Sequence, residues 1–247
     1  MLIPEFHRSR DNGSGRVVQV SADQGHRFAK DVAGDFNPLH DADSKRFIVP
    51  GDLLFSLFLN YYGVSRGMRV EFQGMVVADA ELDFPDLPDD RTEFELNNVK
   101  GKPTYLKVAR SGDIDKDAQR IAMLIRTYVA YSGENFPHVL VPLMAEQGWM
   151  INTLRPLVLY QSMSLEMERF DFTDLVLQQV GTEFNAQGKR AEVHLKFELH
   201  DDRQRLVGKG GKTLVAGGLR PYEEEPMQVL VKSYAGWREN YLALKQA

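Results

Sequence analysis

The sequence contains no cysteine among its 247 residues. That excludes disulfides, a thiol nucleophile and cysteine-ligated zinc, and it suits a reducing compartment. No apolar run approaches the ~20 residues of a membrane-spanning helix. The most apolar stretch, residues 53–62, is short and interrupted by Ser56 and Asn60. Positive charge is not in surplus either. The 30 Lys and Arg face 35 Asp and Glu, a formal net charge of −5, with both signs interspersed, which argues against a phosphate-coating surface. The first ten residues carry Pro4 and Glu5 where an export signal has its apolar segment. These absences predict a cytoplasmic protein with neither nucleic acid nor membrane as partner.

What is present is a chain 43% hydrophobic. Its length allows one large domain or two of about 120 residues, and burial of roughly 70–75% of the unfolded surface without staples. Val17-Val18-Gln19-Val20 reads as a short strand, and Ser21 with Gln24 has the spacing of a capping box. Gly34, and Asn37 before Pro38, predict the end of that helix and a loop over 34–40. Residues 51–63 read as a helix apolar almost all round, with one polar stripe of Asp52, Ser56 and Asn60. Such a helix has to be wrapped, most simply by a curved sheet.

Strand-like runs follow at 69–77, 80–84, 92–99, 104–110 and 121–131. A second apolar helix is predicted over 137–154, and then strands at 158–167, 175–185, 191–199 and 209–216. Gly101-Lys102 and Gly188-Lys189 sit at similar places 87 residues apart. The order of elements repeats, so an α+β chain of two halves is expected, 1–134 and 135–247. Met227, Leu230, Val231, Tyr234, Trp237 and Tyr241 recur at helical spacing near the C-terminus, a helix that packs on the body or on a partner.

The sharpest local feature is Gly34-Asp35-Phe36-Asn37-Pro38-Leu39-His40. A carboxylate and an imidazole five apart on a turn held by Gly and Pro can point into one cavity, as paired acid–base chemistry requires. On spacing alone, Asp35 capping a turn beside a loop histidine remains the open alternative.

With Phe28 upstream, the segment resembles the hydratase motif of the MaoC-like and R-specific enoyl-CoA hydratases. Phe47-Ile48-Val49-Pro50-Gly51 resembles that family's approach to its central helix. The resemblance implies a double hot-dog fold, two curved antiparallel sheets each wrapping a helix, with one active half. It implies a lyase without cofactor in which Asp35 and His40 activate water and the Gly51 N–H stabilises an enolate-like oxyanion. The implied partners are an acyl-CoA or acyl carrier protein thioester and, for the chain itself, a second copy in a homodimer. Asn37 is expected at the substrate chiefly by fixing the turn. The stripe of Asp52, Ser56 and Asn60 is expected to bind substrate by lining a polar acyl pocket, the open alternative being that it faces water or the other half.

The sequence departs from that pattern in three places. Only ten residues, 41–50, separate His40 from Gly51; Arg46 replaces a small residue; and Asp52 replaces Met. An ionised Asp52 about 6 Å from a developing enolate would cost roughly 3 kcal/mol at an effective dielectric of ~20. The departures keep two other readings open: a hot dog that binds an acyl-CoA or another small ligand without turnover, and a thioesterase using Asp52. A third is an interaction protein docking through the helix around Trp237.

Other signals fail on their own terms. Asp113, Asp115 and Asp117 begin like a calcium loop, but Ala118 and Leu124 occupy its Gly and Glu positions, so a solvated hairpin loop is expected. Gly211-Lys212-Thr213 ends like a P-loop without its first glycine and reads as a hairpin turn. His194 and His200 would stand ~20 Å apart along a strand, too far to share a metal.

Overall fold

Long strands with alternating burial dominate the computed structural model, which describes residues 3–246. Met1 and Leu2 of the N-terminal stretch lie outside the described residues. A surface hairpin, β1 (Arg8–Asp11) and β2 (Gly15–Gln19), precedes α1 (Ala22–Arg27). Ser21 and Gln24 make the expected capping box, and the helix runs on to Ala33 before Gly34, at φ 63°, ends it. Then come α2 (Gly51–Tyr62), β3 (Val64–Phe72), β4 (Leu82–Pro85), β5 (Glu93–Asn97) and β6 (Thr104–Asp115).

The next element corrects the sequence reading. Residues 121–131 are not a strand but the body of α3 (Ala118–Asn135). The Asp117 side chain caps it by accepting from the Gln119 and Arg120 N–H groups. Ile121, Leu124, Ile125, Tyr128 and Val129 recur three and four apart and are all buried. β-Branched and aromatic residues gave the segment strand character, but its apolar period is helical. The Asp113–Asp117 segment is accordingly no hairpin loop: Asp113 and Asp115 lie in β6. The helix expected over 137–154 is shorter, a π-type turn (Phe136–Leu140) leading into α4 (Val141–Glu146), so that helical backbone extends from 118 to 146.

The second half continues with β7 (Trp149–Met150), β8 (Val158–Met167), β9 (Val176–Gln187), β10 (Arg190–His200), β11 (Leu206–Gly217), β12 (Arg220–Pro221) and α5 (Glu224–Gln246). Gly211-Lys212-Thr213 lies inside β11, not at a hairpin turn.

The main sheet has the order β5-β6-β3-β8-β11-β10-β9. Three strands come from the first half and four from the second, every pair antiparallel, joined edge to edge where Val70 of β3 faces Met163 of β8. A small sheet β1-β2-β4 and the pair β12-β7 complete it. The sheet packs on α2 and α3, so the fold is the α+β double hot dog, with the two expected sheets merged into one continuous sheet. Leu53, Phe55, Leu57, Phe58 and Tyr128 fill one core, and Leu140, Met144, Ile151, Leu195 and Met227 a second beneath α5. The expected division at 134/135 falls in the last turn of α3. Among the described residues no helix is long and apolar enough to cross a membrane.

One close approach ties α3 to the turn before Asp35. A Cβ on Gly133 would lie 2.0 Å from the Ala33 carbonyl oxygen. Backbone cannot yield as a flexible side chain can, so Gly133→Ala is expected to destabilise by about 1–3 kcal/mol or more. Urea denaturation checks this; a midpoint equal to wild type would show that the helix slides freely.

Candidate active site

The loop after α1 is built by local hydrogen bonds. The Asp35 N–H donates to the Ala29 carbonyl at 2.8 Å. The Asp35 Oδ1 accepts the Asn37 N–H at 2.8 Å, and the Asn37 Oδ1 accepts the Leu39 N–H at 3.1 Å. These two Asx turns start the short 3₁₀ turn Pro38–His40. Asn37 thus holds the loop's shape. The Ile48 N–H donates to the Leu39 carbonyl at 3.0 Å, closing the short segment back onto the motif. Arg46 is exposed on it.

The same segment orients His40. Its Nδ1 lies 2.9 Å from the Ile48 carbonyl oxygen, which only accepts. Nδ1 therefore carries the proton, and in the neutral ring Nε2 keeps its lone pair. That Nε2 stands 3.7 Å from the Asp35 Oδ2. The gap is too long for a direct hydrogen bond and short enough for one water to touch both groups at ~2.8 Å. The imidazole is 10% exposed and the carboxylate 22%.

Asp35, Asn37, His40 and Gly51 all line one cavity of about 320 Å³. Gly51 opens α2, and Pro50 before it offers no side-chain cap, so the first N–H and the positive dipole end of that helix border the space. A Cβ on Gly51 would come within 3.2 Å of the Tyr160 ring. The remaining walls are mainly apolar, among them Phe72, Phe136, Leu140, Ile151, Leu214 and Leu230. The motif comes from the first half and much of the apolar wall from the second.

Asp52 lies elsewhere than expected. Its residue is 2% exposed, and neither it, Ser56 nor Asn60 lines the cavity. Its Oδ1 accepts from the Lys212 ammonium at 3.1 Å and from the Ser132 hydroxyl at 2.9 Å. Lys212 also donates to Ser132 and to the Tyr128 carbonyl, and sits 3.8 Å from the Tyr128 ring centroid. Burial pushes the Asp52 carboxyl above its ordinary range, against the pull of Lys212 and Ser132. Burial likewise pulls the Lys212 ammonium below its ordinary range, against Asp52. The Ser56 hydroxyl donates to the Asp52 carbonyl at 2.6 Å, one turn back, and Asn60 is half-buried a turn further on. The charge expected to oppose an enolate is therefore compensated by a cation from β11.

Sequence patterning left several cavity residues unassigned: Ser132, Phe136 and Tyr160, and Tyr234 and Trp237 of α5. The signal for Lys212 was present, since it shares the inward parity of Leu214 and Ala216 on one strand. Tyr234 lay in the apolar stripe of α5 but carried no chemical cue.

Solved structures of similar course include the tesB protein of Mycobacterium avium subs paratuberculosis (10% identity, 86% of this chain and 96% of that one, TM-score 0.45). Another is the acyl-CoA thioesterase II TesB2 of Mycobacterium marinum (12%, 91% and 100%, TM-score 0.43). A third is the dehydratase domain of PpsC from Mycobacterium tuberculosis in complex with C12:1-CoA (12%, 87% and 99%, TM-score 0.42). No curated protein matches the sequence. The family described as protein of unknown function (DUF3581) matches over residues 1–225, and the chain belongs to that family.

Proposed function

We propose that the chain is a MaoC-like hydratase or dehydratase of an acyl thioester, a 2-enoyl-CoA or its acyl carrier protein counterpart. The observation that carries this reading is the 3.7 Å approach of His40 Nε2 to Asp35 Oδ2 on the wall of an apolar cavity that also meets the N-terminus of α2. A water between two acceptors can donate one proton to each, leaving a lone pair for the substrate. Its oxygen bonds to C3 as one proton passes to the pair. The C2–C3 double bond opens toward the thioester carbonyl, and the pair returns a proton to C2. The sum is one water added, and the reverse is dehydration. Charge gathers on the carbonyl oxygen, where the Gly51 N–H and the helix dipole are worth most. In this reading residues 1–134 carry the chemistry, 135–247 complete the acyl pocket, and the enzyme works in the cytoplasm as a homodimer.

The thioesterase alternative needs the Asp52 carboxylate at the thioester. That group instead accepts from Lys212 and Ser132 and does not line the cavity, which favours the hydratase reading over this one. Incubation of the protein with 2-enoyl-CoAs of increasing chain length tests the proposal. Products heavier by one water are expected; no such product at any length contradicts it and favours binding without turnover.

Gly51→Val adds a prediction. The new methyls would press on the Tyr160 ring and enter the cavity beside the α2 N-terminus. A fall of about ten-fold or more in kcat/KM with the fold retained is expected, since a misplacement of ~1 Å can cost a hundred-fold. Steady-state kinetics alongside circular dichroism measures this, and an unchanged kcat/KM removes Gly51 from the site.

A further inference from the structure

Asp35 has two carboxylate oxygens, and they are used differently. Oδ2 faces His40. Oδ1 accepts the Asn37 N–H from its own turn and, at 3.2 Å, the hydroxyl of Tyr234 from α5. The same hydroxyl accepts the Phe36 N–H at 2.9 Å. One side chain, 199 residues away, therefore grips both the carboxylate and the backbone beside it. Burial, and then the negative Asp35, push the Tyr234 hydroxyl above its ordinary range, so it remains a donor.

Tyr234 is itself held. It is 7% exposed, meets the Phe36 ring edge-on at 6.0 Å, and lies against Phe136 at 5.4 Å. Two turns on, Tyr241 packs edge-on against Phe36 at 5.9 Å and donates to Asp31 Oδ1 at 2.9 Å, where Lys245 also binds. Helix α5 thus clasps Asp31, in the turn before the loop, and Asp35 and Phe36 at its start, while Leu230, Tyr234 and Trp237 line the cavity. A carboxylate held only by its own Asx turn could rotate and lose the shared-water geometry with His40.

We propose that Tyr234 is a positioning residue for the Asp35–His40 pair, so that the active site is incomplete without α5. The catalytic consequence rests on the hydratase reading; the grip on the loop does not. Two measurements on full-length Tyr234→Phe, which keeps the ring and removes the hydroxyl, separate them. The first is amide hydrogen exchange at Phe36, expected to quicken about ten-fold or more while the bulk of the protein stays as protected as wild type. Unchanged exchange at Phe36 overturns the proposal whatever the activity. The second is a double-mutant cycle with Asp35→Asn on crotonyl-CoA hydration. Tyr234→Phe alone is expected to lower kcat about ten-fold with KM within about two-fold, and to cost nothing further in the Asp35→Asn background. An equal loss in both backgrounds overturns the proposal, because the tyrosine would then act independently of the carboxylate. A wild type that hydrates no enoyl-CoA overturns the hydratase reading, and the Phe36 exchange alone then decides the positioning.

Discussion

Asp35→Asn and His40→Gln are each expected to lower hydration of crotonyl-CoA by about 10²–10⁴-fold with little change in Tm. Positioned acid–base groups contribute on that scale, and both substitutions keep size while removing proton-transfer capacity. In Asp35→Asn the amide oxygen can still accept from the Tyr234 hydroxyl and the Asn37 N–H, so the loop has no reason to unfold. The two groups would share one water, so the double variant should lose little beyond the worse single one. Multiplied losses would assign the residues to separate steps. Activity within a few-fold of wild type in either variant would remove that residue from the reaction.

Lys212→Met is expected to destabilise the protein by about 3–5 kcal/mol, because it leaves the Asp52 carboxylate buried without its cation. For a chain of this length that is a fall in Tm of roughly 6–20 °C. The ammonium is fully buried and satisfies Asp52, Ser132 and the Tyr128 carbonyl at once. Asp52→Leu combined with Lys212→Met removes both charges and should recover most of the loss, since an apolar pair often replaces a buried ion pair at no net cost. Thermal melts of the singles and the double measure the coupling. If Lys212→Met melts within a degree or two of wild type, the pair does not fasten β11 to α2.

Much of this architecture is legible in the residues, and the failures have identifiable causes. The strand 158–167 and the helix beginning at Gly51 emerge where the pattern predicts them, because turn residues and an unbroken period mark them. Residues 121–131 mislead because Ile121, Ile125, Thr127, Tyr128 and Val129 favour strands by type, whereas the spacing of those that become buried is helical. The 34–40 loop is readable because Gly, Asn and Pro constrain backbone locally, and local constraint is what a short motif records. The partners of Asp52 and Asp35 are not readable. Lys212 and Tyr234 lie 160 and 199 residues away, and only the packing of β11 and α5 brings them in. A lysine at an inward strand position and an aspartate on an apolar helix each hinted at a buried partner; nothing linear paired them.

On the proposed chemistry, this cavity adds water to an acyl chain, or removes it, and leaves the thioester intact. Crotonyl-CoA followed in one reaction by two readouts, loss of the conjugated double bond and appearance of free thiol, separates that chemistry from its neighbours. The double bond is expected to be consumed to an equilibrium with 3-hydroxybutyryl-CoA, approached equally from the hydroxy side, with no thiol released. Thiol release with the double bond retained would contradict it.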